Sequence, residues 1–264
     1  MYILYPVCAL LESYIDCFWE SDFQEAENGL YKELYVAQFN PNIIFNLAKS
    51  YQYNTNSVEL STAVTVNTEP ILFTHKPDNK LFGIRFKTGS LRLFTPLAMH
   101  ELADDVLSID DLFGDKVSML ETKIQECNTT IERIAVAESF LLQHFDFQKL
   151  EKYHLTQHIQ QKIQQHCTEN NGIDNLSAQL LVTQRSMDRY FQEYLGLSPK
   201  KMSRLMRFGK AFETMHQTKS DFNLYDFGYY DQSHFSKEFK IFCGMPPSEY
   251  LKSIHFVQNL QAGH

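Results

Sequence analysis

The sequence predicts an α+β protein: a front half of antiparallel strands that passes into helices, then an all-α C-terminal part built from a duplicated helical unit. Three observations carry this. First, Thr183-Gln-Arg-Ser-Met187-Asp-Arg-Tyr-Phe191 runs to Gly196-Leu-Ser-Pro199, and Asp231-Gln-Ser-His-Phe235-Ser-Lys-Glu-Phe239 runs to Gly244-Met-Pro-Pro247, with every matched position offset by 48 residues. A fixed internal offset marks two copies of one supersecondary unit. Second, the stretch before residue 90 holds short aliphatic and aromatic runs broken by Asn40-Pro41-Asn42, Lys76-Pro77-Asp78-Asn79 and Lys87-Thr88-Gly89, the punctuation of strands and tight turns. Third, from about Ser90 the apolar spacing changes to a helical period.

Taken in order, residues 35–40, 43–48 and 81–86 are expected as strands, with Phe82, Ile84 and Phe86 alternating against Gly83 and Arg85. Thr129-Thr-Ile-Glu132 is a capping box opening a helix through Ile131, Ile134, Ala135, Glu138, Leu141 and Leu142. His154 and His158 stand four apart among Gln157, Gln160, Gln161, Gln164 and Gln165, which reads as an exposed linker helix rather than a metal site. In the first repeat, Met187, Phe191 and Tyr194 form an apolar stripe, and Arg185, Asp188, Arg189 and Gln192 share the opposite face. In the second, Phe235, Phe239 and Phe242 form the stripe, and Ser233, Ser236, Lys237 and Lys240 face away. Thr183 and Asp231 suit the N-cap, Gly196 and Gly244 the left-handed C-cap, each with Pro soon after. Between the copies, Met202, Leu205, Met206, Phe208 and Phe212 are apolar while Lys200, Lys201, Arg204, Arg207 and Lys210 are basic. A helix so patterned packs on one side and presents a positive edge suited to phosphates on the other. Gly209 within it costs roughly 1 kcal/mol against Ala. Residues 259–264 are expected as a frayed tail.

Composition narrows the function classes. A chain of 264 residues is expected to form two domains, each with its own core. Residues 171–252 hold 11 Lys and Arg against 9 Asp and Glu, whereas the remainder holds 13 against 23, so the C-terminal part alone is basic. The five cysteines, at 8, 17, 127, 167 and 243, include no C-x-x-C pair, which argues against a disulfide framework or a zinc site and for a reducing compartment. No run is long enough to span a membrane and no leader is evident, so the chain is expected to be soluble and cytoplasmic. No His-x-His pair or other spaced His and carboxylate cluster falls on a strand, so no metal, cofactor or catalytic residue is expected.

The C-terminal residues resemble the AraC/XylS family of transcription regulators. Leu176 through Phe191 is similar to that family's first helix-turn-helix, Gly196 through Ala211 to its connecting helix, and Gly228-Tyr-Tyr-Asp-Gln-Ser-His-Phe-Ser-Lys-Glu-Phe-Lys240 with Gly244-Met-Pro-Pro-Ser-Glu-Tyr250 to its second. The chain departs from the family pattern at Ser177 (usually Ala), Leu181 (usually Gly), Asn223 (usually aliphatic) and Leu224 (usually Ala). The resemblance implies a DNA-binding regulator, an activator and not an enzyme, whose two recognition helices enter successive major-groove segments about 34 Å apart. Double-stranded DNA and RNA polymerase are the implied partners. Carried over by position, the base-facing residues are Gln184, Arg185, Asp188 and Arg189 in the first helix and Gln232, Ser233, His234 and Lys237 in the second. Arg185 and Arg189 suit bidentate contact with guanine, Gln232 pairing with adenine, and Asp188 acceptance from cytosine or orientation of a neighbouring Arg. Thr183, Lys200, Lys201, Arg204, Arg207 and Lys240 are the expected phosphate contacts.

More loosely, the front half resembles a sensor domain joined to this DNA-binding module, from Tyr5-Pro6 and Phe18-Trp19 through Phe45-Asn46-Leu47 and Gly83-Ile-Arg-Phe86 to Leu112-Phe113-Gly114. That implies a small antiparallel β-barrel, cupin-like, followed by helices. It divides the chain into a sensor and dimerisation domain over 1–148, an AraC-type DNA-binding domain over 149–254, and a tail over 255–264. A barrel of that size can enclose one small effector, and Trp19, Tyr35, Phe45 and Arg85 are the candidate pocket residues, although each more commonly serves the core or, for Arg85, points to solvent or a carboxylate. Two other readings stay open. A DNA-repair methyltransferase would need a zinc-bound thiolate cluster, for which Cys8, Cys17 and Cys127 are wrongly spaced. A small-molecule-binding or protein-interaction protein with a weakened DNA module would show no DNA affinity.

Overall fold

The structure is a computed structural model that describes residues 2–23, 30–48, 50–54, 56–58, 61–114, 117–168, 176–218 and 223–251. Ten strands come first: β1 (Tyr2–Tyr5), β2 (Ile15–Phe23), β3 (Tyr31–Tyr35), β4 (Asn42–Asn46), β5 (Tyr51–Tyr53), β6 (Asn56–Val58), β7 (Ser61–Val64), β8 (Ile71–His75), β9 (Asn79–Phe86) and β10 (Val106–Ser108). They form a six-stranded sheet in the order β1-β2-β9-β4-β7-β10 and a four-stranded sheet in the order β3-β8-β5-β6. All pairings are antiparallel. The expected small barrel is therefore realised as two sheets, joined among the described residues by a single antiparallel bridge between Gln38, after β3, and Asn67, after β7.

Alternation assigns each strand residue to a layer. Cys17, Trp19 and Phe23 of β2, Ile44 of β4 and Leu81 of β9 meet Tyr35, Tyr51, Val58 and Phe73 of the smaller sheet to form the inner core. The opposite face of the large sheet, with Phe18, Phe45, Phe82, Ile84 and Phe86, packs against the helices. Gly83 lies directly across from Trp19, and a Cβ there would fall 2.0 Å from the indole ring. The missing side chain is what lets Trp19 lie flat across β9, stacked on Tyr2 at 5.0 Å and donating from Nε1 to Asn42 Oδ1 at 3.1 Å. The strand expected over 35–40 is displaced: β3 ends at Tyr35. Ala37, just beyond that end, donates its N–H to the Phe242 carbonyl at 2.9 Å, so the backbone here bonds across to the C-terminal part instead of continuing the ladder.

Nine helices are described: α1 (Ile109–Phe113), α2 (Val117–Glu126), α3 (Thr130–His144), α4 (Leu150–His166), α5 (Leu176–Gln179), α6 (Gln184–Leu195), α7 (Pro199–Thr218), α8 (Gln232–Cys243) and α9 (Pro247–Tyr250). The Thr129 and Glu132 capping box opens α3 as expected. Its buried face, though, is Ala137 and Leu141, while Ile131 and Leu142 are exposed. α4 is more than an exposed linker. Tyr153, Thr156, Ile159, Gln160 and Ile163 are buried along it, and only the outer side, with His154 and His158, faces solvent. Five glutamines hid a stripe that a polarity count does not register.

One hydrophobic cluster runs from Leu11 in the front half to Tyr250 near the end of the chain. The expected tail, 255–264, and the fraying expected over 259–264 lie outside the described residues. No described helix is long and apolar enough to cross a membrane. Leu181, at the turn between α5 and α6, sits at φ 54° with 95% of its surface exposed. A Leu side chain in the left-handed region is strained by about 1–2 kcal/mol and here buries nothing in return. Leu181→Gly is expected to raise stability by about 1 kcal/mol, read as a shift in urea midpoint at unchanged slope.

Candidate nucleic-acid interface

Both helical units begin and end as their sequences dictate. Thr183 Oγ1 accepts from Ser186 N at 3.1 Å and Asp231 Oδ1 from His234 N at 2.7 Å, satisfying first-turn donors that would otherwise be unpaired. Gly196 and Gly244 close them at φ 69° and 79°. Met187, Phe191 and Tyr194, and in the second unit Phe235, Phe239 and Phe242, are fully buried. In place of a second α5, the second unit has a 3-10 turn over Leu224–Phe227, with Asn223 as N-cap accepting from Tyr225 N at 3.3 Å.

On the outward faces, Gln184, Arg185 and Arg189 of α6 and Gln232, Ser233, His234 and Lys237 of α8 are exposed. Asp188 is half-buried and accepts from Gln184 Nε2 at 3.1 Å, so its partner is neither of the arginines beside it. The Arg189 guanidinium lies over the Tyr190 ring at 5.1 Å, which restricts the side chain while leaving its fork accessible. His234 is exposed, with its ring edge-on to Tyr229 at 5.3 Å. Thr183 is exposed at its cap, and Lys200 and Lys240 are exposed on α7 and α8.

The remaining basic residues of α7 make bonds within the protein. Arg204 Nε donates to Glu238 Oε1 at 2.8 Å, and Arg207 Nη2 donates to both oxygens of the same carboxylate at 2.9 and 3.0 Å. Glu238 is only 2% exposed. A carboxylate so buried needs opposite charge and directed hydrogen bonds, and two guanidiniums supply them. The Arg207 guanidinium also lies 4.8 Å from the Tyr229 ring centre, and burial together with the Glu238 charge pushes the Tyr229 hydroxyl well above the usual phenol range. Lys201 Nζ stands 3.6 Å from Asp104 Oδ2 in the front half. Sequence reasoning passed over Glu238, yet the signal was present: at i+3 from Phe235 it falls within the apolar stripe of α8.

The front half abuts this module at several points. A Cβ on Gly196 would lie 2.8 Å from the Met99 carbonyl, and one on Gly244 2.9 Å from the Pro70 ring. Arg92 Nη2 pairs with Glu193 at 3.2 Å, and the Tyr194 hydroxyl donates to the Lys149 carbonyl at 3.0 Å; burial pushes that hydroxyl up to about 12. A cavity of about 220 Å³ opens at the same junction. Asp16, Gln38 and Arg85 line it from the front half, and Leu205, Gly209 and Lys210 from α7. A Cβ on Gly209 would meet nothing within 4 Å, so the helix glycine borders open space.

The pocket residues expected from sequence are not brought together. Trp19 and Tyr35 share the inner core, whereas Phe45 lies on the opposite face of β4 and packs toward the helices, because residues 44 and 45 of a strand point to opposite faces. Arg85 is buried between strands and its Nε donates to Asp16 Oδ2 at 2.5 Å. Burial, against the opposing pull of the Arg85 charge, raises the Cys17 thiol beside it to about 11. Among the described residues there is no group of three or more His, Cys, Asp or Glu side chains able to hold a metal ion.

Residues 176–253, which contain every one of these capped helices, match the helix-turn-helix domain family. This region is a helix-turn-helix domain of the AraC type. Ahead of the AraC-type domain, residues 4–108 match a domain of unknown function, DUF6597, which spans the strands. No curated protein matches the sequence. Among solved structures, the chain is similar to ToxT from Vibrio cholerae. The 1.65 Å structure of its P21 form aligns at 13% identity over 89% of this chain and 98% of that one, with a TM-score of 0.49. ToxT from strain O395 aligns at 13% over 90% and 99%, TM-score 0.47. The unsaturated fatty acid bound wild-type ToxT from strain SCE256 aligns at 14% over 86% and 96%, TM-score 0.43.

Proposed function

We propose that the protein is a sequence-specific transcription regulator in which α6 and α8 read successive major-groove segments of double-stranded DNA, modulated by a small effector held in residues 1–148. The observation that carries this is the pair of capped helices in an AraC-type domain with their polar faces outward: Gln184, Arg185 and Arg189 on one, Gln232, Ser233, His234 and Lys237 on the other. Such side chains present donors and acceptors to base edges. Asp188 works through Gln184, whose amide it fixes. Lys200 and Lys240 can meet phosphates from the surface, Thr183 can do so only by exchanging its hydroxyl bond to Ser186 Oγ, and the exposed part of Arg204 can do so while its Nε stays on Glu238. Arg207 serves mainly to neutralise Glu238, and Lys201 must first leave Asp104. RNA polymerase and a second copy of the chain are further proposed partners.

Selection from random duplexes is the direct test. Enrichment of a bipartite motif is expected, and enrichment of none would overturn the reading. Arg189→Ala is expected to cost roughly 1–3 kcal/mol at one base pair and relax preference there, measured by competition with single-position variants of the selected site. Lys200→Ala is expected to weaken all sequences alike and lower the salt slope by about one unit, measured by titration across ionic strengths. The reading of a weakened DNA module draws on the Glu238 and Asp104 carboxylates that occupy three of the cations on α7; absence of DNA affinity at about 50 mM salt would favour it.

A further inference from the structure

We propose that residues 66–70 and 99–104 of the front half form a bracket that fixes the separation of α6 and α8, with Asp104 as its positioning residue, so that the front half selects the spacing of the two half-sites. This rests on the reading of α6 and α8 as recognition helices and adds what sets the distance between them. Gly196, the C-cap of α6, lies so close to the front half that a Cβ would fall 2.8 Å from the Met99 carbonyl oxygen and 3.2 Å from the Ala103 side chain. Gly244, the C-cap of α8, lies against Pro70, with a Cβ 2.9 Å from its ring. Two residues earlier, the Phe242 carbonyl accepts from Ala37 N at 2.9 Å. Each recognition helix therefore ends on the front half.

The two supports are bonded into one piece. Asp104 N donates to the Val66 carbonyl at 2.9 Å, and Asp104 Oδ1 accepts from the Thr68 N–H at 2.5 Å and from the Thr68 hydroxyl at 2.7 Å. Thr65 Oγ1 donates to the Leu102 carbonyl. Asn67, 1% exposed, extends the tie toward α8. It exchanges backbone bonds with Gln38 at 2.9 and 3.0 Å, and its Nδ2 donates to the carbonyls of Val36 at 3.3 Å and Glu69 at 2.9 Å, so one side chain holds the segments that carry both Ala37 and Pro70. Asp104 stands at φ 64°, a left-handed conformation that Asp tolerates better than most residues, and its bonds to Thr68 keep it there. Its Oδ2 faces Lys201 Nζ at 3.6 Å, in the first turn of α7. One base pair moves a half-site by about 3.4 Å along the duplex and about 34° around it, so a stiff bracket accepts one spacing where a loose one accepts several. Stiffness in the free protein also lowers the cost of engaging both grooves at once.

The test takes the duplex selected by the full chain, inserts or removes one base pair between its halves, and titrates each version with the wild type, Asp104→Gly, Asp104→Asn and Pro70→Ala. Glycine adopts φ 64° without strain, so Asp104→Gly removes the carboxylate and leaves the backbone path open. It and Pro70→Ala are expected to keep the wild-type preference within each half-site while the penalty for a changed spacing falls about fivefold or more. Asp104→Asn keeps an acceptor for Thr68 and is expected to keep the spacing preference, which a role carried by the Lys201 charge would not. A merely structural role would lower the melting temperature and the affinity for every duplex alike, without moving the spacing preference. An unchanged spacing preference in both Asp104→Gly and Pro70→Ala overturns the bracket and makes α7 the spacer, with the reading of DNA by α6 and α8 intact. Enrichment of no bipartite motif by the wild type overturns that reading, and the bracket with it.

Discussion

Glu238→Ala is expected to destabilise the AraC-type domain by about 3 kcal/mol and to abolish tight DNA binding. Removing one side of a buried ion pair costs about 3–5 kcal/mol, because the surviving charge is left without compensation. Here two guanidiniums survive. Arg207 is mostly buried and loses both of its carboxylate bonds, while Arg204 is 42% exposed at its side chain and can turn to water, which sets the effect at the low end of that range. The loss is also geometric, since Glu238 is a polar tie between α8 and α7, which otherwise meet through rings, Phe208 and Phe212 on Phe239 and Phe208 on Phe242. Urea unfolding measures the stability and titration of the selected duplex the binding. Glu238→Gln keeps an acceptor for one arginine and is expected to lose about half as much stability. Equal stability of the alanine variant and the wild type would mean that the arginines are solvated and the tie is dispensable.

Gly83→Ala carries the other large expectation. An added Cβ would stand 2.0 Å from Trp19 Cε2 and 2.4 Å from its Nε1, far inside contact distance, and the obstruction is a rigid ring held by Tyr2 and Asn42. One methyl group must therefore evict the indole from the inner core. Forcing volume into a packed interior costs about 1–3 kcal/mol, and the lost Trp19 to Asn42 bond puts this substitution near the top of that span. Lower melting temperature and a red-shifted Trp19 emission are the expected readouts. An unchanged emission maximum would show that the sheet moves and the ring does not.

What was legible in the sequence was local. Thr183, Asp231, Gly196 and Gly244 declare helix ends through bonds and torsions spanning no more than four residues, and all four do in the fold what their spacing implied. The AraC-type domain was legible for the same reason. What was not legible depends on residues far apart in the chain. Nothing near Glu238 tells that its partners are the arginines at 204 and 207, and nothing near Ala37 tells that its N–H bonds to Phe242. Phe45 was grouped with Trp19 by residue type, although strand alternation within β4, which sets residue 45 opposite residue 44, sends it to the other face.

The hydrophobic cluster that passes without interruption from Leu11 to Tyr250 has an evolutionary corollary. Domains can be exchanged between proteins at little cost when they meet through a thin polar seam. Here the seam is itself interior, so a swapped-in partner would have to reproduce the shape against which Gly196 and Gly244 rest. Variation in this lineage is therefore expected to accumulate inside the sandwich and on the outer faces of α6 and α8, leaving the junction between them nearly still.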